Sequence, residues 1–320
     1  MALGSLDAGV SALTSFEKGL EVIGNNVANV NTTGYKGSTA EYGDSFSTML
    51  RNSSPASSDG NTSNSAAMQV GTGVKLDAIT TNFQQGTLSP AGSESDLGIS
   101  GNGFFVVRDP ASGNLFVTRA GNFRVDDNGY LVTQDGMRVQ GLSDGSASYE
   151  ATNPGGVLTY AQTATAPKSV GDVKIDYNIG PVVDNTSPSV PVSAPTMNSY
   201  SIDQSGNINI SLSNGDTYVR GKVLLQSFRD PGSLVREGGN LYSNLDAAGP
   251  QGGNTLSDEN NAAGTNGLGK IQSKALELSN VDLSSEFANM ISTQRAFQAG
   301  SRIITVTDSV LEEIINLKRS

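Results

Sequence analysis

Both ends of this chain carry a seven-residue apolar rhythm, and the long stretch separating them carries none. Leu6, Leu13, Leu20 and Val27 recur every seven residues, with Phe16, Ile23 and Val30 as a second row at the same interval. From Leu13 onward the rows alternate steps of three and four, the stripe of a helix that packs as coiled coils do. Near the other end Leu283, Met290, Phe297, Ile304 and Leu311 keep the interval, flanked by Ile303, Val310 and Leu317. Residues 281–320 contain no proline and one glycine. Asp282 and Glu286 suit the positive end of that helix dipole, and Lys318 and Arg319 the negative end. The first helix is weaker: Gly9, Gly19 and Gly24 each cost about 1 kcal/mol of helix propensity relative to alanine. Such a helix needs a partner to cover its stripe.

The text separating the helices reads as strands and turns. Asp127-Asn128-Gly129, Gln134-Asp135-Gly136, Ser205-Gly206 and Asn214-Gly215 fall among alternating apolar positions, as hairpin turns do. The predicted fold class is therefore α+β, with the two terminal helices pairing as a coiled-coil-like domain around a discontinuous, mainly antiparallel β-domain. The predicted boundaries are 1–50 for the first helix and its following elbow, and 51–70 for a Ser/Asn-rich linker. Residues 71–142 and 199–270 make the β-domain, and 271–320 the closing helix. Residues 143–198, which hold most of the prolines, read as an insertion or small outer domain.

Composition removes whole classes of function. Without cysteine or histidine there is no thiolate nucleophile, no Ser-His-Asp triad and no histidine-bearing zinc site. A net charge of −11 argues against nucleic acid or an anionic membrane surface as partner. No run approaches the length of a bilayer span, and the opening residues lack the basic and apolar regions of a cleavable signal peptide. The glycines of Gly98–Phe105 fit no phosphate-binding spacing and lead into a strand. Residues 126–136 lack the alternate carboxylates of a calcium loop. No catalytic, cofactor or metal residues are predicted.

Three arrangements suit the terminal stripes: packing on the chain's own sheet, a helical hairpin within the chain, or packing against other copies. The narrow stripes and the low cohesion of the first helix favour the third, in a subunit whose head-to-tail contacts form an open helical polymer. The first stripe stops abruptly. Asn31, Thr32, Thr33 and Gly34 break the period, and Tyr35 and Lys36 resume in extended form. Gly34 is the natural site for a backbone conformation that other residues resist.

At "IGNNVANVNTTGYKGSTAEYGDSF" the chain resembles the bacterial flagellar rod and hook proteins. The closing "ALELSNVDLSSEFANMISTQRAFQAGSRIITVTDSVLEEIINL" is similar to that family's terminal helix, and "DLGISGNGFFVV", "FVTRAGNFRVDDNGYLVTQDGMRVQG" and "LLQSFRDPGSLVREGGNLYS" to its β-domain. The resemblance implies a structural subunit, not an enzyme, exported without a cleaved signal by the flagellar type III apparatus. It implies terminal helices that form an inner tube, with residues 31–36 as the elbow toward outer layers. The implied partners are further copies of the chain and the adjacent rod, hook-cap and hook–filament junction proteins, and the implied location is the hook and basal body, outside the cell. The stretches 1–26 and 71–89 look most like hook proteins, whose tube is a flexible universal joint. The distal rod, a stiff drive shaft, is the alternative. A ligand-binding or enzymatic β-domain is a distant third reading.

Overall fold

The computed structural model describes the chain apart from residues 1, 56–62, 144–148, 153–158, 163–168, 176–182, 185–195, 214, 216, 254 and 320. Helix α1 (Ala2–Ala28) opens it and helix α2 (Leu283–Arg319) closes it. Among the described residues the remainder is strand, turn and short single-turn helices, so the fold is α+β. The chain forms two compact units. Met1–Val30, Lys36–Asn82 and Val281–Ser320 make the first, and Asn31–Tyr35 with Phe83–Asn280 the second.

In the first unit α1 and α2 run antiparallel. A Cβ placed on Gly9 would lie 3.0 Å from Ile304, one on Gly300 would lie 3.3 Å from Leu13, and Asn26 reaches Glu286 at 3.1 Å. Two antiparallel ribbons accompany the helices. Strand β1 (Ser38–Asp44) pairs with β4 (Val74–Thr81), and β2 (Ser47–Arg51) with β3 (Met68–Gly71). The β1/β4 ribbon lies on α1: Ser15 Oγ donates to the Val74 carbonyl at 3.2 Å, and the Phe16 and Tyr42 rings meet edge to face at 5.5 Å. These ribbons move two boundaries. Val74–Thr81, predicted as part of the β-domain, belongs here, because its partner strand follows α1. Residues 51–70 are not a plain linker, since Arg51 and Met68–Val70 lie in strands. A two-stranded ribbon wet on both faces has no reason to alternate, and every residue of β2 and β3 is exposed, so periodicity has nothing to report there.

The second unit is built on an antiparallel sheet. Its order is Met197–Ile202, Asn207–Leu212, Thr217–Val223, Arg138–Ser143, Phe104–Arg108, Leu115–Thr118, Leu241–Ser243 and Val235–Gly238. Phe104–Val107 is buried on both faces: Phe105 and Val107 enter one apolar cluster, with Leu131, Ile208 and Ile271, while Phe104 and Val106 enter another, with Phe228 and Tyr242. Successive strand residues point to opposite faces, so a continuous apolar run marks a strand covered on both sides. Asn207–Leu212 covers one face only, with Ile208, Ile210 and Leu212 buried and the residues interleaved with them less so. The predicted turns are present: Gly129, Gly136, Gly206 and Gly215 all have positive φ. Asp126 Oδ1 accepts from the Asn128 and Tyr130 N–H groups, and Asp203 Oδ1 repeats the pattern with Ser205 and Asn207.

Residues 143–198 are only partly an excursion. Ser169–Asp172 pairs with Arg138–Ser143, and Val173 and Ile175 are fully buried in the larger cluster. Tyr149–Thr152 pairs with Thr159–Gln162 and Val183–Asp184 in a small sheet, and the rest of the segment lies outside the described residues. The predicted start of the closing-helix region also moves. Lys270–Ser273 and Ala275–Glu277 are strands, paired with Leu97–Ser100 and Leu88–Pro90, because Ile271, Ala275 and Glu277 bury one face at period two. Helix α2 begins only at Leu283, where the Asp282 carboxylate accepts from the Ser284 N–H at 2.9 Å.

Candidate assembly surface

The terminal stripes meet inside one chain, and small residues let them approach. On α2 the face toward α1 carries Met290, Phe297, Ile304 and Leu311 at one heptad position, each half-buried. The alternate position holds Glu286, Thr293, Gly300 and Thr307, of which Gly300 and Thr307 are buried. On α1 the predicted Leu6, Leu13, Phe16, Leu20 and Val27 are half-buried and Ile23 is buried, whereas Val30 lies past the helix end. The deepest positions of α1 are instead Gly9, Ser15, Gly19, Ile23 and Asn26. Asn26 bonds both ways with Ser38, its Nδ2 donating to the carbonyl at 2.7 Å and its Oδ1 accepting from the N–H at 2.9 Å. A Cβ on Gly19 would fall on the Tyr42 hydroxyl. Sequence reasoning counted apolar residues and treated these glycines as weaknesses. Gly9 keeps the seven-residue interval of Phe16 and Ile23, and Gly19 that of Asn26, which was the available signal.

Leu283 does not join the seam. It is exposed, because Glu286 occupies the turn that faces Asn26. It belongs with Phe287 and Ile291, which are also exposed, and the flanking row of Ile303, Val310 and Leu317 is exposed with Val306 and Ile314. A soluble helix normally confines its apolar residues to one face. Helix α2 has them on the α1 side and away from it as well.

The predicted elbow falls in the second unit up to Tyr35. Gly34 has φ 68°, its N–H donates to the Glu277 carbonyl at 2.7 Å, and a Cβ there would lie 2.6 Å from the Ala120 nitrogen. No other residue fits both constraints. The Thr33 carbonyl accepts from Asn240 Nδ2 at 2.8 Å, and the Thr32 carbonyl from the Tyr35 N–H at 3.2 Å. Asn31 is exposed, whereas Tyr35 is buried with the Arg236 guanidinium 4.8 Å above its ring. Below the elbow, Arg119 and Glu277 form a buried ion pair at 3.1 Å. Burial pulls the Arg119 guanidinium below its usual value, and Glu277 opposes that shift. The second Glu277 oxygen accepts from the Gly86 N–H at 2.8 Å, and Arg119 also donates to the Gly101 carbonyl. Lys36, the last elbow residue, falls in the first unit and is fully buried. Among the described residues no cluster of carboxylates could hold a metal ion, and no helix is long and apolar enough to cross a membrane.

Three family models match successive parts of this architecture. Residues 6–36 match the flagella basal body rod protein model, 98–210 the D1 domain of the flagellar hook protein FlgE/F/G, and 272–317 the C-terminal region of the flagellar basal body rod FlgEFG protein. The flagellar basal-body rod protein FlgG of Bacillus subtilis is 33% identical over 317 residues, covering 99% of this chain and 100% of the relative. The chain belongs to the flagellar rod and hook protein family. FlgG of Caulobacter vibrioides is 31% identical over 98% of this chain and 99% of its own length. The flagellar hook protein FlgE of Borreliella burgdorferi is 27% identical over 98% of this chain and 99% of its own, in an alignment of 451 residues.

This rod/hook protein is a structural protein of the flagellum, of its hook or its basal-body rod. The first matched segment spans most of α1 and all of the elbow, and the last spans nearly all of α2. The middle match covers the sheet from Gly98 to Ile210. The two ribbons of the first unit lie outside all three segments.

Proposed function

We propose that this rod/hook protein polymerises through its terminal helices into an open helical tube, and that the tube it builds is the hook. The observation that carries the polymer is the apolar surface of α2 away from the seam: Phe287, Ile291, Ile303, Val306, Val310 and Ile314 are all exposed in the single chain. Exposed apolar surface of this extent marks an interaction site. The seam residues predicted to meet other copies hold α1 to α2 within the chain, so the intersubunit surface is the pair's outer face. Residues 31–36 act as the joint from which the chain passes from helical tube to outer layer. Export through the flagellar type III apparatus, and contact with the neighbouring rod, hook-cap and hook–filament junction proteins, complete the reading.

The hook is preferred on the stretches 1–26 and 71–89, which resemble hook proteins. The exposed β2/β3 ribbon fits a tube that must bend, since it has no buried face to disrupt when neighbours shift. One observation favours the distal rod: the rod proteins named FlgG align with this chain end to end with almost no change in length, whereas the hook relatives need far longer alignments. Deleting the gene in its host and imaging isolated basal bodies decides the matter. A complete rod without a hook is expected. A shortened rod overturns the hook in favour of the rod, and intact hook–basal bodies overturn both.

A further inference from the structure

Six of the exposed apolar residues of α2 form two stripes on opposite flanks of the α1-facing seam. At about 100° per residue, Leu283, Phe287 and Ile291 run from roughly 70° to 150° on one side of the mean seam direction, and Val306, Val310 and Ile314 from roughly 150° to 70° on the other. These six are 38% to 61% exposed. The first stripe sits at the N-terminal end of the helix and the second at the C-terminal end, and each flank is apolar at that end only. Toward the C-terminus the first flank turns acidic, with Asp308 and Glu312; toward the N-terminus the second carries Ser285, Ala288 and Ser292.

We propose that the two stripes are the two halves of one contact, made by the α2 helices of neighbouring copies lying parallel and staggered by about 35 Å. The proposal rests on the reading that the chain polymerises. Three observations lead to it. Both stripes step by four, so Leu283–Val306, Phe287–Val310 and Ile291–Ile314 all match at one constant offset, a rise of about 35 Å at about 1.5 Å per residue. Unstaggered parallel neighbours would instead set Phe287 and Ile291 against Ala288 and Ser292. A two-fold pairing would set one stripe against itself, close as a dimer and leave the other stripe in water. The staggered, head-to-tail contact buries both, and such a contact propagates without closing. The stripes also lie about 140° apart on the side away from the seam, so successive copies turn in one sense, as a tube requires.

The chain has no cysteine, which makes the test clean. In a Phe287→Cys/Val310→Cys double variant the two thiols lie about 35 Å apart on one rigid helix, far beyond disulfide reach. Assembled protein is oxidised with copper–phenanthroline and run on denaturing gels. The double variant should give a ladder of covalent multimers, and an equimolar mixture of the two single variants only dimers. Each single variant alone should stay monomeric. Filaments visible by electron microscopy that give no ladder overturn the stagger alone, as do dimers from Val310→Cys by itself. If the double variant does not assemble, Leu283→Cys/Val306→Cys tests the same offset. An unsubstituted chain that forms no polymer overturns both the stagger and the polymer reading.

Discussion

Gly34 and Gly24 are both glycines near the end of α1, yet they should answer substitution in opposite directions. A side chain at Gly34 meets a φ of 68° and, at 2.6 to 2.8 Å, the backbone of Arg119 and Ala120. The left-handed region alone costs a non-glycine residue roughly 1–2 kcal/mol, and a backbone contact cannot swing aside. Gly34→Ala should therefore lower stability by more than about 2 kcal/mol in urea denaturation. Gly34→Asn should not recover the loss, although asparagine tolerates this φ, because its Cβ meets the same atoms. Full recovery by asparagine would show that φ, not contact, demands the glycine. A Cβ added at Gly24 would meet nothing within 4 Å beyond its own stretch of helix. Gly24→Ala should stabilise the helical signal by up to about 1 kcal/mol. Gly9→Ala should gain nothing, since its methyl must displace Ile304. A destabilised Gly24→Ala chain would show that the outer side of α1 is not free in the way its open space indicates.

At the scale of elements, the strand Ser169–Asp172 is tied to its neighbours by one side chain as well as by its ladder with Arg138–Ser143. Asp172 accepts from Arg108 Nε at 3.0 Å, Arg138 Nη1 at 3.0 Å and Gln140 Nε2 at 2.6 Å, which ties this strand to two others of the sheet. Burial alone would raise its carboxyl, but Arg108, Gln140 and Arg138 together hold it below the usual carboxylate range. A carboxyl depressed in the folded state contributes stability above its unfolded value of about 3.9, and that contribution disappears as pH falls through the folded value. Asp172→Asn should cost about 2 kcal/mol at neutral pH and flatten the acid side of the stability profile. Equal urea midpoints for the two chains at pH 7 would show that the Asp172 carboxylate does not hold this strand to its neighbours. Nothing in the sequence marked Asp172, because its partners lie far from it in the chain. The same limit applies elsewhere. Heptad spacing exposed both helices and most of the seam, and glycine turns exposed the hairpins. Which strand β4 would pair with, where 169–175 would pack and which face of α2 would stay wet all depend on long-range contacts. Leu283 shows the difficulty well: it keeps the heptad interval with Met290 yet sits on the flank, since Glu286 takes the inner position opposite Asn26.

On the scale of the whole molecule, the two units are made from the chain in different ways. The second takes Phe83–Asn280 unbroken, with only Asn31–Tyr35 added from outside, and holds both large apolar clusters. The first is gathered from three segments, one of them a glycine-bearing helix whose seam side chains are mostly half-buried. Cohesion should therefore be unequal, since local opening is easiest where buried apolar contact is sparse. A fragment comprising residues 83–280 should fold and unfold in a single cooperative transition. Its midpoint should lie below that of the β-signal in the full chain, because it lacks the Gly34–Glu277 and Thr33–Asn240 hydrogen bonds and the Tyr35 ring under Arg236. In the full chain, helical circular dichroism should fall before the tyrosine near-ultraviolet signal does on heating. Coincident loss of the two signals, together with a fragment that gives no dispersed amide spectrum, would mean that the sheet needs the terminal helices to fold. In that case the helices could not loosen without the β-domain loosening as well.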